Sequence, residues 1–139
     1  MPTKPFQVTL NFTVRTYDID FVGIVSNIVY VRWLEDLRLQ ALAKFFPLDT
    51  AMQELGIAPV LLRTEIDYKQ PVRLFDPLIG TLWAAEIGRV RQVLQAEFTV
   101  NGELRAAARQ TTCFIDLATG RPQPTPAALR EQAVGQPES

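Results

Sequence analysis

The segment that decides the fold is residues 17–38, which read Tyr-Asp-Ile-Asp-Phe-Val-Gly-Ile-Val-Ser-Asn-Ile-Val-Tyr-Val-Arg-Trp-Leu-Glu-Asp-Leu-Arg. Two acids and a glycine turn stand directly before a helical pattern. A helix N-terminus leaves backbone N–H groups without partners and carries partial positive charge, so it can hold a carbonyl oxygen while an acid attacks the carbon. Asp is also a common helix cap. The segment is therefore either a capped strand-to-helix turn or a reaction centre.

A long helix is predicted over residues 27–46. Its apolar side chains recur at intervals of three and four, at Tyr30, Leu34, Leu37, Ala41 and Phe45. Charged side chains occupy the opposite face, which indicates one buried and one solvated side. Ser26 or Asn27 can cap the helix, and Pro47 ends it because proline lacks a backbone donor.

Most of the remaining chain reads as strand. Alternating apolar residues predict a first strand over residues 6–17, and 49–55 is a short helix closed by Gly56. Further extended segments are predicted at 58–68, 78–87, 90–100 and 104–117. Asn101-Gly102 is a strong hairpin signal, since both residues tolerate positive φ. The tail, residues 123–139, predicts a short surface helix.

One long helix followed by consecutive antiparallel strands predicts an α+β fold, with a curved sheet covering the apolar stripe of the helix. The 139 residues fit a single domain with a core at about 6–122 and a tail at 123–139. A single sheet leaves its edge strands open, so we expect a homo-oligomer.

Composition narrows the chemistry. The chain contains no histidine, which removes Ser-His-Asp and Cys-His nucleophile activation and the usual ligands of catalytic zinc. No metal site is expected, and catalysis must use carboxylates, hydroxyls, Lys, Arg or backbone. A net charge of −1 gives no field for nucleic acid. The sequence has no apolar run long enough to suggest a membrane span, and its start lacks the apolar stretch of a signal peptide. The lone Cys113 suits a reducing compartment. We therefore expect a cytoplasmic protein.

The Asp-x-Asp-x-x-Gly-Ile-Val turn and the Tyr-Val-Arg-Trp-Leu-Glu helix resemble the 4-hydroxybenzoyl-CoA thioesterase group of the hotdog fold. Residues 68–78 resemble that family's second element, and 114–126 resemble its last strand and exit. The resemblance covers about residues 8–129. It implies a long central helix wrapped by an antiparallel sheet, as the pattern alone predicts, and an assembly of dimers and often tetramers.

The resemblance implies hydrolysis of an acyl-CoA thioester. It assigns the catalytic carboxylate to Asp20, either as a nucleophile that forms a mixed anhydride or as a base that deprotonates water. It also implies that backbone amides at the helix start polarise the thioester carbonyl; the candidates are those of Gly23, Val25, Ser26 and Asn27, with Asn27 at the position used by aromatic-acyl members. The chain departs from many relatives in having Ile-Val-Ser-Asn at 24–27, where they have His-Val-Asn-Asn.

Other residues have two interpretations each. Glu35 and Asp18 are the secondary acid candidates. We expect Asp18 to serve the turn instead, and the other interpretation of Glu35 is an ion pair with Arg32 or Arg38. Tyr30 and Trp33 either line an acyl pocket or pack in the core or at a subunit interface. The phosphates of coenzyme A require basic side chains, and the candidates, each also suited to a solvated strand, are Arg63, Lys69, Arg73, Arg89 and Arg91.

Two alternatives stay open. An acyl-carrier-protein thioesterase would use the same acid and helix, and a non-catalytic acyl-binding hotdog protein would keep the fold without turnover. Hotdog dehydratases use a histidine that this chain lacks. Coenzyme A is expected as part of the substrate, with no separate cofactor. Acyl specificity and the choice between dimer and tetramer are not determined by the sequence.

Overall fold

The computed structural model of the protein describes residues 4–134. In that range the strands are β1 (Val8–Phe12), β2 (Ile57–Tyr68), β3 (Leu78–Ile87), β4 (Arg91–Val100), β5 (Glu103–Asp116) and β6 (Pro122–Gln123). The helices are α1 (Asn27–Phe45), α2 (Leu48–Thr50) and α3 (Ala127–Val134), with a 3₁₀ turn at Thr16–Asp18 and a π-helical turn at Ala51–Leu55.

The strands form one antiparallel sheet in the order β1-β3-β4-β5-β2, with β6 added to β5. Strands β3, β4 and β5 form a meander, and the β4–β5 turn uses Asn101 and Gly102 at φ of 50° and 81°. The predicted hairpin is confirmed. Strand β2 pairs only with β5 among the described strands, so its other edge is open.

The first strand is shorter than predicted. It ends at Phe12, and the chain then enters the 3₁₀ turn at Thr16–Asp18. The Asp18 carboxylate accepts a hydrogen bond from the Arg15 amide at 2.9 Å, which offers the backbone a local partner in place of a ladder bond. The apolar alternation in the sequence therefore continues beyond Phe12, where the strand itself ends.

Helix α1 lies across the sheet and buries the predicted face. Leu34 and Leu37 are fully buried, and they pack in one cluster with Phe98, Leu78 and other strand residues. Gly80 of β3 allows this close approach, because an added Cβ would lie 3.2 Å from the Leu37 side chain of α1 and 2.6 Å from the Phe12 ring of β1. The helix stops one residue before Phe46, and Pro47 follows, as expected.

A second cluster closes the far end of α1. Leu129 of α3 is buried with Phe6, Phe46, Ala84 and Phe114. The predicted tail helix is present at Ala127–Val134, and the rest of that prediction, 135–139, lies outside the described residues. None of the described helices combines the length and apolarity needed to cross a membrane.

Candidate active site

The segment before α1 folds into a small hairpin. Ile19 and Val25 form an antiparallel bridge, and the Asp20 amide donates to the Ile24 carbonyl at 2.9 Å. The Gly23 amide donates to the Asp20 carbonyl at 3.0 Å, closing a four-residue turn. Gly23 has a φ of 90°, which L-residues rarely adopt, so the glycine of the motif is required by this reversal.

The Asp20 carboxylate is fixed through one oxygen. Oδ1 accepts hydrogen bonds from the amides of Val22 at 2.8 Å and Ile24 at 3.4 Å. Oδ2 accepts none from residues 4–134, and the residue is only half-buried. The turn therefore orients the carboxylate and leaves one oxygen available to react.

Asp18 has a different environment. It is 5% exposed, its carboxylate is bonded to the Arg15 amide, and its backbone carbonyl accepts the Ser26 amide at 2.8 Å. These bonds tie the 3₁₀ turn to the start of α1. Of the two acids in the motif, the structure buries Asp18 within the turn and leaves Asp20 at its surface.

The backbone amides at the helix start divide into two groups. Three of the four candidate amides are already hydrogen-bonded, since they donate to the carbonyls of Asp20 (from Gly23), Val72 (from Val25) and Asp18 (from Ser26). The amides of Asn27 and Ile28 donate to no residue in 4–134, and Ser26 provides no side-chain cap. Of the four candidate amides, only that of Asn27 therefore lacks a partner among residues 4–134, and it is joined by the neighbouring Ile28 amide, which the motif did not indicate.

Aromatic residues surround the start of α1. The Tyr68 hydroxyl donates to the Asn27 carbonyl at 3.3 Å, and its ring meets that of Tyr30 edge-on at 5.3 Å. Tyr30 and Trp33 are 3% and 7% exposed and belong to the main core. Neither residue lines the large cavity that is described in the next paragraph. In this chain both side chains pack in the core.

A cavity of about 460 Å³ lies between the C-terminal half of α1, the α2 region and the sheet. Its lining is mainly apolar and includes Leu39, Leu42, Phe45, Met52, Leu61 and Phe114. Glu35 and Arg38 stand on the helix side. The cavity begins at Glu35, eight residues and therefore about 12 Å along α1 from Asn27. No single sequence motif marks it, because its walls come from several elements.

The ion pair predicted for Glu35 does not form within 4 Å among the described residues. Arg38 instead donates to the Gln110 side-chain carbonyl at 2.7 Å. Burial lowers the pKa of the Arg38 guanidinium, and Glu35 opposes this shift. Glu35 is exposed on the cavity wall and is remote from the Asp20 turn along its own helix.

The five basic candidates fall in different places. Arg73 is bridged to Ile24 beside the acid turn, and Lys69 lies in the same β2–β3 loop. Arg63 forms an exposed pair with Glu65 on β2. Arg89 and Arg91 lie beyond the far end of the ten-residue strand β3, about 30 Å from that loop by strand length. Within one chain, Lys69 and Arg73 therefore lie in the loop that pairs with the Asp20 hairpin, whereas Arg89 and Arg91 lie at the opposite end of β3.

Comparison with known proteins identifies the family. The model of the thioesterase-like superfamily matches residues 14–133. The chain belongs to that superfamily. A thioesterase from Thermus thermophilus, solved in complex with coenzyme A and zinc, is 28% identical over 91% of each chain, with a TM-score of 0.79. A predicted thioesterase from Bacillus stearothermophilus is 25% identical over 94% of this chain and 96% of its own, with a TM-score of 0.82.

The fold extends to more distant structures. A thioesterase-superfamily protein from Jannaschia sp. CCS1 is 17% identical, covers 100% of this chain and 99% of its own, and has a TM-score of 0.86, which supports the fold alone. The resemblance to hotdog thioesterases and the α+β hotdog fold are thereby confirmed. A comparison with curated protein sequences finds no match. Between residues 4 and 134 no three acidic or cysteine side chains form a metal-binding group.

Tyr30 gives a prediction for alkaline pH. Its pKa is raised to about 12, chiefly by burial and further by Tyr68, while Arg105 opposes the shift. In the unfolded state the phenol ionises near pH 10. Between pH 10 and 12 the unfolded state therefore binds fewer protons than the folded state. The free energy of unfolding is at its full value below pH 10 and falls as the pH rises through that window. Tyr30→Phe should abolish this fall in the free energy of unfolding, which is on the order of 2 kcal/mol.

Urea unfolding at pH 8.5 and pH 11.5 measures this difference. Tyr17→Phe is the control, because Tyr17 is 72% exposed and should leave the loss unchanged. Equal losses in wild type and Tyr30→Phe would show that Tyr30 does not cause the alkaline instability.

Proposed function

We propose that the protein hydrolyses acyl-CoA thioesters with Asp20 as the catalytic carboxylate. The observation that carries this proposal is the pairing of an unbonded carboxylate oxygen on the Asp20 turn with an unbonded amide, that of Asn27, at the start of α1. The superfamily match supplies the reaction class. Coenzyme A enters as part of the substrate, and of the five basic candidates Lys69 and Arg73 lie in the loop that is bridged to the acid turn.

The chemistry has two balanced routes. In the first, Asp20 Oδ2 attacks the thioester carbon, the C–S bond breaks, coenzyme A leaves as a thiolate that takes a proton, and water then hydrolyses the mixed anhydride. In the second, Asp20 removes a proton from water, the resulting hydroxide attacks the same carbon, and the C–S bond then breaks as coenzyme A leaves as a thiolate that takes that proton. In both, the carbonyl oxygen gains negative charge, which the Asn27 amide and the positive end of α1 stabilise.

The cavity along α1 supports the proposal that the acyl group of the substrate is apolar. Its volume of about 460 Å³ and its aliphatic and aromatic walls suit a chain or ring that leaves water on binding. An acyl group lying along α1 from the Asn27 amide would reach it, and so would one presented by the Asp20 turn of a second copy. We propose a homo-oligomer, since the open edge of β2 carries the exposed side chains of Leu61 and Leu62.

Asp20→Asn tests the carboxylate. Because the amide keeps an oxygen for the Val22 and Ile24 bonds but neither attacks nor accepts a proton efficiently, thiol release from an acyl-CoA panel should fall roughly 10²- to 10⁴-fold. The control is Asp67→Asn, an exposed acid on β2. Near-wild-type turnover by Asp20→Asn would contradict the assignment.

Asn27→Pro tests the amide without removing the helix. Proline suits the first helical position, and Ser26, at φ −65° and ψ 140°, already has the conformation that a following proline requires. The substitution deletes one N–H, so the turnover number should fall about 10²- to 10³-fold. Asn27→Ala, which keeps the amide, is the matched control and should retain activity. Equal rates for the two variants would exclude the Asn27 amide from the reaction.

Leu42→Phe tests the acyl cavity. The larger ring should displace about two methylene groups of a long acyl chain, which at about 0.8 kcal/mol each lowers kcat/KM for long chains about tenfold and leaves short chains unchanged. Leu55→Phe is the control, because Leu55 is 57% exposed and does not line the cavity. Equal effects on both chain lengths would mean that the acyl group lies elsewhere.

The acyl panel should also include matched thioesters of acyl-carrier protein. Faster release from the carrier protein would assign the substrate to that class. A folded protein that releases thiol from neither would be an acyl-binding hotdog protein and would overturn the proposal.

A further inference from the structure

The acid turn is supported by a loop from a distant part of the chain. The Val25 amide donates to the Val72 carbonyl at 2.8 Å, and Ile24 forms an antiparallel bridge with Arg73. These contacts join the Asp20 hairpin to residues 69–77, which connect β2 to β3. The orientation of Asp20 therefore depends on where that loop is held.

Arg105 of β5 holds the loop with both its backbone and its side chain. Its carbonyl accepts the amides of Lys69 at 2.9 Å and Gln70 at 3.0 Å. Its Nη1 donates to the Pro71 carbonyl and lies 3.6 Å from the Asp76 carboxylate. The Arg105 side chain is only 19% exposed, so solvent screens these contacts weakly.

Asp76 completes the same arrangement. Its carboxylate accepts the Arg73 amide at 2.8 Å, and its own amide donates to the Arg73 carbonyl at 3.1 Å. Between them Phe75 has a φ of 74°, a left-handed conformation that is strained for a bulky residue and persists only where surrounding contacts impose it. The contact from Arg105 to Asp76 is one such constraint.

We propose that Arg105 is a positioning residue for Asp20. It fixes the 71–76 segment, and through Val72 and Arg73 it sets the hairpin that carries the reactive carboxylate. This inference rests on the proposed function. Arg105 is set apart from the candidate phosphate ligands, because Asp76 and Glu103, whose carboxylate lies 2.7 Å from Nε, already oppose its charge.

The planar guanidinium explains why arginine is needed at this position. It presents several N–H groups in a fixed fork, so it can face the Pro71 carbonyl, Asp76 and Glu103 together. A lysine ammonium keeps the charge but lacks that geometry. Arg105→Lys should therefore recover part of what Arg105→Gln loses.

The test compares Arg105→Gln and Arg105→Lys with Arg109→Gln. Arg109 is a matched control, since it lies four residues further along β5, is exposed, and forms no ion pair within residues 4–134. We expect kcat to fall about 10- to 100-fold in Arg105→Gln with KM changed less than about threefold, because misplacing a catalytic group by about 1 Å has effects of this size. Arg105→Lys should be intermediate, and Arg109→Gln should match wild type.

Amide hydrogen exchange supplies a readout independent of turnover. In Arg105→Gln the Val25 amide should exchange at least about tenfold faster, since its bond to Val72 loosens, while amides in the centre of β4 stay as in wild type. If Arg105→Gln fails to fold, Asp76→Asn serves in its place; it keeps an oxygen for the Arg73 amide, removes the charge facing Arg105, and should give a smaller change of the same kind.

Unchanged Val25 exchange, or faster exchange throughout the sheet together with a matching fall in kcat, would overturn the positioning role. Wild-type protein that releases no thiol from any acyl-CoA would instead overturn the proposed function, and the Val25 exchange would still decide whether Arg105 holds the hairpin. The two failures are therefore distinguishable.

Discussion

Burial of one face of α1 against the sheet is the constraint on which the rest of the molecule depends. Leu34 and Leu37 are fully covered by strand residues, and each such side chain contributes about 1.5–3 kcal/mol relative to an exposed one. With that face buried, the N-terminus of α1 lies beside the β2–β3 loop, where the Val25 amide donates to the Val72 carbonyl. Tyr68, at the end of β2, then reaches the Asn27 carbonyl. The packing that stabilises the domain therefore also orients the amides of the candidate site.

The two acids of the motif lie in different environments although a short turn carries both. Asp18 and Asp20 are two residues apart, yet one is buried with its carboxylate on a backbone amide and the other keeps an unbonded oxygen at the surface of the turn. The difference arises because the 3₁₀ turn directs Asp18 back toward Arg15, while Gly23 reverses the chain after Asp20. A carboxylate held through one oxygen loses little freedom when it reacts, which favours attack on a bound carbonyl.

Membership of the superfamily indicates the fold and the class of reaction, whereas the local geometry indicates the candidate residues. The family match gives the fold and the class of reaction, and relatives solved at 25–28% identity extend over nearly the whole chain. The candidate site is built from features of this chain itself: an acid turn without histidine, the unbonded amides of Asn27 and Ile28, and a loop held by Arg105. The strained turn at Phe75 belongs to the same unit as the acid hairpin, so backbone strain and the candidate chemistry occur together.

The sequence by itself determined the elements and their class. The periodicity of α1, the Asn101-Gly102 hairpin, the strand positions and the Asp-x-Asp-x-x-Gly turn are local signals, because each depends on residues within a few positions of one another. The extent of β1 was overestimated, since alternation continues through residues that a 3₁₀ turn takes out of the sheet. Only the tertiary structure decided which amides are free, because Val25 is bonded to Val72, 47 positions away. The same holds for the cavity, for the Arg38 contact with Gln110 that replaces the predicted ion pair, and for the contacts of Arg105 with the β2–β3 loop, all of which need segments distant in the chain to meet.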